Sequence, residues 1–196
     1  MTSILGISGS LRQGSFNTAL LRAIAAAAPA GTRVEVATLH GIPLYDGDEE
    51  TRDGIPPAVA ALKDRIAAAD GLLLVTPEYN NGMPGVFKNA IDWLSRPPQD
   101  SGRVFSDRPV AVVGASPGGF GTLLAQTGWL PVLRTLGTRP WFGPRLAVSR
   151  AGSVFDADGN LTDERVREQV TAFIQGFSEF TRQAAKADVM NTHEVT

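Results

Sequence analysis

The fold is decided by the stretch Ile4-Leu5-Gly6-Ile7-Ser8-Gly9-Ser10, in which a short apolar run ends in small polar residues. An apolar run of this length, closed by turn-forming residues, is typical of a buried strand. A helical pattern of apolar residues begins after Asn17 and continues through residues 20–24. The N-terminal segment therefore predicts a strand, a loop and a helix, in that order.

The alternation of strand and helix continues along the chain. Further strands are predicted at residues 33–39, 71–76 and 110–113, and a fifth lies within residues 140–148. Helices are predicted at residues 55–66, 84–95 and 123–136, the last interrupted near Pro131, and after an N-terminal cap at Thr162. Residues 41–57 are predicted to form a loop. Strands that alternate with helices in this way indicate an α/β fold.

The predicted strands also indicate how the sheet is covered. The first, third and fourth strands are continuous apolar runs, as expected for strands of a parallel sheet that are buried on both faces. The sequence therefore predicts a flavodoxin-like, doubly wound, five-stranded parallel sheet with strand order 2-1-3-4-5 and helices on both faces. Ligands of this fold bind at the carboxyl ends of the strands, so the loops after strands one, three and four form the candidate site.

Composition narrows the function classes. The chain has 196 residues, of which 43% are hydrophobic; residues 1–183 are predicted to form a single domain and residues 184–196 a flexible C-terminal tail. A formal net charge of −2 gives no basic surplus for nucleic acid or an anionic membrane. The absence of cysteine excludes disulfides and thiolate ligands, and no metal site is predicted. No signal-peptide pattern or membrane-spanning run is present, so we expect a cytoplasmic protein.

The first candidate loop, residues 9–18, lies between a strand and the N-terminus of a helix. Its glycines allow close backbone approach, and the free N–H groups and dipole of the helix favour an anion. The candidate phosphate ligands are Ser10, Arg12, Ser15, Asn17 and Thr18. The spacing of Gly9 and Gly14 resembles a P-loop, but a serine at position 15 replaces the lysine, which disfavours a nucleoside triphosphate. A terminal phosphomonoester fits better; helix capping alone is the alternative explanation.

Two further loops offer a site for a planar ligand. The second loop, residues 76–85, contains Pro77, Glu78, Tyr79 and Asn80. Its backbone and amide groups suit the polar edge of a heterocycle, and the tyrosine ring suits an aromatic wall, although an ordinary turn before a helix is the alternative. The third loop, residues 114–121, is rich in glycine, which indicates close approach of the backbone to a ligand.

The third loop also matches the nucleophile-elbow pattern Gly114-x-Ser116-x-Gly118 of serine hydrolases. In this alternative Ser116 is the nucleophile, His193 is the base, and Asp156 or Asp158 is the acid, an order that the chain permits. However, the histidine lies in a polar segment close to the C-terminus, and no HGGG-type oxyanion segment is present. The hydrolase alternative is therefore disfavoured.

Three motifs together resemble a known family. They are Gly9-Ser10-Leu11-Arg12-x-x-Ser15-x-Asn17, Pro77-Glu78-Tyr79-Asn80 and Gly85-x-x-Lys88-Asn89-Ala90-Ile91-Asp92-Trp93. In this order and spacing they resemble the NADPH-dependent FMN reductase family, which includes chromate and quinone reductases. The resemblance extends over residues 4–180, and three motifs in order are far more specific than any one of them.

The resemblance implies FMN as cofactor and NAD(P)H as co-substrate. It places the phosphate against Ser10, Arg12, Ser15, the backbone of Phe16, Asn17 and Thr18, and the isoalloxazine ring against Pro77, Glu78, Tyr79, Asn80, Ser116, Gly118 and Gly119. The flavin carries the chemistry, so no side chain is assigned as catalytic. The implied activity is ping-pong reduction of quinones or other small acceptors, such as chromate, azo or nitro compounds.

The resemblance also implies a homodimer or homotetramer, with the helix after Pro84 near the subunit contact. Val86 and Trp93 lie off the main apolar face of this helix, which favours a second contact surface. The main alternative function is a flavodoxin-type electron carrier that binds FMN but has no nicotinamide site; a non-enzymatic sensor of the same fold is a third. Such carriers have a strongly acidic surface, which a net charge of −2 does not provide.

Overall fold

The sheet of the protein has the predicted order. The computed structural model describes the backbone of residues 1–193 and the side chains of residues 1–185. The strands are β1 (Thr2–Ser8), β2 (Thr32–Ala37), β3 (Gly71–Val75), β4 (Pro109–Ala115), β5 (Arg139–Pro140) and β6 (Ala147–Val148). They pair in parallel in the order β2-β1-β3-β4-β5, and β6 pairs with the carboxyl end of β4. The prediction of the order 2-1-3-4-5 is confirmed.

Helices cover both faces of this sheet. They are α1 (Phe16–Ala26), α2 (Gly47–Asp53), α3 (Pro57–Ala67), α4 (Gly85–Leu94), α5 (Ser101–Phe105), α6 (Leu123–Thr135) and α7 (Glu164–His193). Alternate residues of the central strands supply two cores, because successive side chains of a strand point to opposite faces. Leu5 and Leu72 pack with α3, α4 and α6, whereas Ile4 and Leu73 pack with α1 and α7. The predicted doubly wound architecture is therefore confirmed.

The fifth strand is split, which refines the prediction of one strand within residues 140–148. β5 pairs with Pro109 and Val110, and β6 pairs with Gly114 and Ala115, while residues 141–146 leave the sheet. Pro140 and Pro144 have no N–H group to donate to a ladder. The Trp141 ring packs instead against Phe173 and Phe177 of α7, at centroid distances of 5.2 and 5.6 Å. Proline chemistry and this aromatic packing together divide the strand.

The prediction of a continuous loop at residues 41–57 was wrong, because α2 lies within it. The side chain of Asp46 caps this helix by accepting a hydrogen bond of 2.8 Å from the N–H of Asp48. Acidic residues occupy its first turn and Arg52 its last, as the helix dipole favours. These capping signals were present in the sequence but stood among glycines and prolines.

Two predictions about helix ends and breaks were also wrong. α6 continues through Pro131, whose ring lies on the exposed side while Trp129 and Leu133 on the buried side hold the helix against the core. At α7 the N-terminal cap is Asp163 rather than Thr162. The Asp163 carboxylate accepts a hydrogen bond of 2.9 Å from the N–H of Val166, whereas the Thr162 hydroxyl donates to a carbonyl of residue 154.

The backbone of α7 extends to His193, so residues 184–193 of the predicted flexible tail are helical. The remaining residues, 194–196, and the side chains after residue 185 lie outside the part of the chain that the structure describes. Flexibility of this segment therefore stays a prediction. Among the described helices, none combines the length and the apolar composition that a span across a membrane needs.

A buried lysine joins three elements on the α3 side of the sheet. The Lys63 side chain is 3% exposed, forms an ion pair with Asp100, and donates a hydrogen bond of 2.5 Å to the carbonyl of Arg96. Arg103 donates to the same carboxylate and to Asp64. Hydrogen bonds from Arg103 and then from Lys63 hold the pKa of the Asp100 carboxyl well below its ordinary value. This cluster ties α3 to α5 and to the turn that precedes α5.

Candidate functional site

Three loops meet at the carboxyl edge of β1, β3 and β4. The strands and helices around them narrow the predicted first loop to residues 9–15 and the second to residues 76–84, and they place the third at residues 116–122. The N–H of Gly9 donates to the carbonyl of Val75 at 2.9 Å, and the N–H of Thr76 donates to the carbonyl of Val113 at 2.8 Å. These bonds continue the sheet ladder into the loops. The three loops that the sequence analysis selected are therefore neighbours.

The first loop presents backbone N–H groups at the start of α1. At its beginning, Gly9 leaves no room for a side chain, because a Cβ there would lie 2.2 Å from the Phe87 ring. At its end, the Ser15 hydroxyl caps the helix by accepting a hydrogen bond of 3.3 Å from the N–H of Thr18. The N–H groups of the first two helical residues, Phe16 and Asn17, have no acceptor within the helix. They are the backbone donors that an anion would meet.

The predicted phosphate ligands divide into two groups. Arg12 is exposed, and its guanidinium makes no hydrogen bond or ion pair with a described residue. Ser10 is buried beside it, and its hydroxyl accepts a hydrogen bond of 3.3 Å from the N–H of Arg12. The side chains of Asn17 and Thr18 are instead turned into the protein, where the threonine hydroxyl lies 2.8 Å from that of Ser8.

Asn17 reaches across to β4. Its Nδ2 donates to the carbonyl of Ala115 at 2.9 Å, and its Oδ1 accepts from the N–H of the same residue at 2.9 Å. Both functions of the amide are thus bound to the backbone immediately before the third loop. The side chain that the resemblance placed against the phosphate thus joins the start of α1 to the end of β4.

The second loop is a tight two-residue hairpin. Tyr79 and Gly82 exchange two backbone hydrogen bonds of 3.0 Å, and Asn80 and Asn81 between them have φ angles of 50° and 62°. Asparagine tolerates this left-handed region better than most residues do. The hairpin leaves the Tyr79 side chain about half exposed at the edge of the site. The Tyr79 and Asn80 side chains, predicted to meet the ring, are therefore both exposed at this edge.

The Glu78 side chain is bound to the start of α6. Its Oε2 accepts hydrogen bonds from the N–H groups of Leu124 at 2.8 Å and Ala125 at 3.0 Å, in the first turn of α6. A carboxylate at a helix N-terminus satisfies free N–H groups and interacts favourably with the helix dipole. This residue joins the second loop to the helix that follows the third loop.

The third loop depends on a close approach at the end of β4, two residues before the loop begins. A Cβ on Gly114 would lie 2.1 Å from the carbonyl oxygen of Thr76 and 2.2 Å from the hydroxyl of Thr122. The buried Ser116 hydroxyl accepts a hydrogen bond of 3.1 Å from the N–H of Gly118. Gly119 is exposed, and no atom lies within 4 Å of the position its Cβ would take. The outer part of the loop is open backbone.

The serine-hydrolase alternative gains no support from this geometry. Within the described side chains, the hydroxyl of Ser116 is bound to a backbone N–H of its own loop. The Asp156 carboxylate accepts from the N–H groups of Asp158 and Asn160, in a local turn. The side chain of His193, which the alternative needs as its base, lies outside the described residues.

His40 contacts the first loop, which was not predicted from the sequence. The residue is exposed, and its Nε2 lies 3.2 Å from the carbonyl oxygen of Leu11 in the first loop. Its Nδ1 lies 3.1 Å from the Thr38 hydroxyl. A carbonyl only accepts, so Nε2 carries the proton in this contact. The neighbouring positions of β1 and β2 were the available signal, because loops after adjacent parallel strands lie side by side.

The motif at residues 85–93, in α4, binds the segment that precedes α2. Trp93 is 1% exposed, and its Nε1 donates to the carbonyl of Pro43 at 3.0 Å. Asn89 donates to the same carbonyl and accepts from the N–H of Tyr45. The expectation that Trp93 offers a second contact surface was therefore wrong, since the segment before α2 already covers it. Val86 remains 37% exposed.

The donor set at the three loops fits FMN. Among the described residues, the Arg12 guanidinium has no partner, and the first N–H groups of α1 have none within the helix; such donors bind a phosphate well. A cleft of about 390 Å³, lined in part by residues 13–16 and 155–159, opens beside this helix end. Open glycine backbone at the third loop and the exposed Tyr79 suit a flat aromatic ring. The fold and the site thus define a flavodoxin-like α/β protein that binds a phosphorylated planar ligand.

Comparison with known proteins gives the family. The sequence pattern of the NADPH-dependent FMN reductase family matches residues 2–153. An NAD(P)H-dependent FMN reductase of Pseudomonas aeruginosa is 45% identical over 179 residues, which cover 91% of this chain and 95% of the relative. A 2-hydroxy-1,4-benzoquinone reductase of a Burkholderia species is 39% identical over 174 residues, covering 89% and 93%. The chain belongs to the NADPH-dependent FMN reductase family.

A solved structure agrees with this assignment. The flavoenzyme NAD(P)H:(acceptor) oxidoreductase FerB of Paracoccus denitrificans has a TM-score of 0.82 and 33% identity to this chain, covering 94% of this chain and 99% of that one. The protein is therefore an oxidoreductase with FMN as cofactor and NAD(P)H as co-substrate. The resemblance read from the three motifs is confirmed, and the electron-carrier alternative is not favoured.

Proposed function

We propose that the protein is a cytoplasmic NAD(P)H:quinone oxidoreductase that works through FMN by ping-pong exchange. The observation that carries the proposal is the meeting of a phosphate-binding helix end with an open glycine loop at one edge of the sheet. The names of the relatives supply the acceptor class, because one that is 39% identical is a benzoquinone reductase. Chromate, azo and nitro compounds are secondary acceptors in this proposal.

The residues divide the binding of FMN among three loops. We assign the phosphate to the Arg12 guanidinium, the hydroxyls of Ser10 and Ser15, and the free N–H groups at the start of α1. We assign the ring to the backbone of Pro77 to Asn80, the Tyr79 side chain and the outer third loop with Ser116, Gly118 and Gly119. Three side chains hold these loops in place and bind backbone or side-chain groups of the protein: those of Asn17, Thr18 and Glu78.

The chain itself binds and orients the reactants. Bound FMN supplies the redox chemistry, because a flavin takes a hydride from NAD(P)H and passes two electrons on to an acceptor, with protons from water making the hydroquinone. In this proposal the hairpin and the third loop flank the flavin ring. NAD(P)H and the quinone then use the remaining open face of the ring in turn, as a ping-pong order requires.

A homodimer or homotetramer is part of the proposal. Large apolar side chains are exposed in the second and third loops and in the first turns of the helices that follow them: Tyr79, Val86, Phe120 and Leu124. Apolar surface gathered near a binding site is typical of a contact with another molecule. Residues 1–183 are proposed as the single domain that makes this contact.

The test uses the purified protein and three measurements. We expect FMN to bind with a shift of its absorbance bands, NADH or NADPH to bleach the bound flavin, and 1,4-benzoquinone to restore the oxidised spectrum. Steady-state NAD(P)H oxidation with benzoquinone should need no partner protein. A protein that binds FMN but is not reduced by either nicotinamide would be an electron carrier. A protein that stays colourless after FMN addition would contradict the proposal as a whole.

A further inference from the structure

The third loop is held at both ends, by a side chain of α1 and by a side chain of the second loop. Ala115 stands immediately before it, and Leu124 and Ala125, the second and third residues of α6, stand shortly after it. Asn17, which follows the first loop, binds the backbone at the first of these ends. Glu78, in the second loop, binds the backbone at the other end. The position of the third loop is therefore set by two side chains that are distant in sequence.

The contact of Asn17 leaves its side chain little capacity for a ligand. The residue is 4% exposed, and its amide oxygen and amide nitrogen are both engaged with Ala115 at 2.9 Å. One amide hydrogen remains, whereas the carboxamide as a whole is directed toward β4. A buried amide that pairs with both the N–H and the carbonyl of one residue fixes the distance between α1 and β4.

The contact of Glu78 has a similar effect from the other side. One carboxylate oxygen accepts from two successive N–H groups in the first turn of α6, at 2.8 and 3.0 Å. Those N–H groups have no partner within the helix, so the carboxylate both satisfies them and fixes the helix start to the second loop. The N–H of Gln126 is already bound to the carbonyl of Thr122.

We propose that Asn17 and Glu78 are positioning residues that hold the third loop in the conformation that receives the flavin ring, and that neither is a ligand of the phosphate. The inference rests on the proposed function, in which this loop binds the ring. Arg12 has the opposite character: its guanidinium is exposed and has no described partner, as expected of a group that meets the phosphate directly.

Riboflavin separates the two roles, because it has the ring of FMN but no phosphate. A residue that binds the phosphate contributes to the affinity for FMN and not to that for riboflavin. A residue that positions the third loop contributes to both affinities by the same factor. The ratio of the two dissociation constants therefore reports the role of each residue, independently of enzymatic turnover.

The experiment measures both flavins by fluorescence titration against flavin-free wild type, Asn17→Ala and Arg12→Ala. We expect Asn17→Ala to weaken FMN and riboflavin alike, each about tenfold, since a buried hydrogen-bonded pair is lost. We expect Arg12→Ala to weaken FMN about tenfold and to leave riboflavin within about twofold. Loss of FMN affinity alone in Asn17→Ala would make it a phosphate ligand and overturn the inference.

Variants of Glu78 provide a second test of the positioning role, which is used if a thermal melt shows that Asn17→Ala is unfolded. Glu78→Ala should weaken both flavins equally. Glu78→Gln should restore most of the affinity, because its amide oxygen accepts the same two N–H groups. If Glu78→Gln binds as poorly as Glu78→Ala, or if both bind as well as wild type, the positioning role is overturned. Wild-type protein that binds neither flavin would refute the proposed function itself, and this inference with it.

Discussion

Gly114→Ala is expected to lower the free energy of unfolding by about 2–3 kcal/mol, since it inserts a methyl group into filled space. It should also weaken FMN binding by about tenfold or more, because roughly 1.4 kcal/mol lost at the site is a factor of ten. The new methyl group would lie 2.1 Å from the carbonyl oxygen of Thr76 and 2.2 Å from the hydroxyl of Thr122. The nearer atom is backbone at the start of the second loop, so relief requires this loop to move away from the end of β4.

Chemical denaturation and flavin titration measure the two effects on the same preparation. Gly85→Ala is the matched control, because Gly85 begins α4 and no atom lies within 4 Å of the position its Cβ would take. The control should unfold within about 0.5 kcal/mol of wild type, as substitutions that disturb no packing do. Equal free energies of unfolding for Gly114→Ala and Gly85→Ala would contradict the prediction, because they would show that the structure accommodates the methyl group without loss of stability.

Asp100→Asn is expected to destabilise the protein by about 3 kcal/mol at pH 7, because it leaves the buried Lys63 ammonium without its carboxylate. Lys63 keeps its hydrogen bond to the carbonyl of Arg96, which does not neutralise the charge. The exposed pair of Arg52 and Asp53 provides the control, since both side chains are more than half exposed. Asp53→Asn should change the stability by less than about 1 kcal/mol.

The same substitution should change the response to acid. Hydrogen bonds from Arg103 and Lys63 lower the pKa of Asp100 in the folded protein. The carboxylate therefore contributes its full stabilisation above the ordinary pKa of about 3.9, and this contribution is lost as the pH falls below that value toward the lowered pKa. The free energy of unfolding, measured with urea, should fall more steeply between about pH 5 and pH 2 for wild type than for Asp100→Asn. Parallel curves would contradict the assignment of this acid dependence to Asp100.

Most of the sheet could be predicted, because each central strand has a local sequence pattern, a short apolar run. The run Leu72–Val75 is apolar on both faces, and it is completely buried in the middle of the sheet. The split of the fifth strand could not be predicted, because it depends on the Trp141 ring finding Phe173 and Phe177 on α7. α6 passes through Pro131 for a related reason, since burial of its other face outweighs one missing hydrogen bond.

The candidate site was predictable as a set of loops but not as a set of side-chain roles. Residue types and strand order were enough to bring the three loops together. The partners of Asn17 and Glu78 lie 98 and 46 or 47 residues away in the sequence, so no local pattern reports them. The same polar side chain has the same sequence signature whether it faces a phosphate or a neighbouring peptide group.

The divided fifth strand also affects how this protein behaves at high concentration. Sheets associate edge to edge when an outer strand offers a continuous row of free N–H and C=O groups. Here β5 and β6 have two residues each, Pro140 lacks an N–H, and residues 141–146 interrupt the row. The opposite edge strand, β2, includes the charged residues Arg33 and Glu35. Both margins of the sheet are thus poor templates for aggregation.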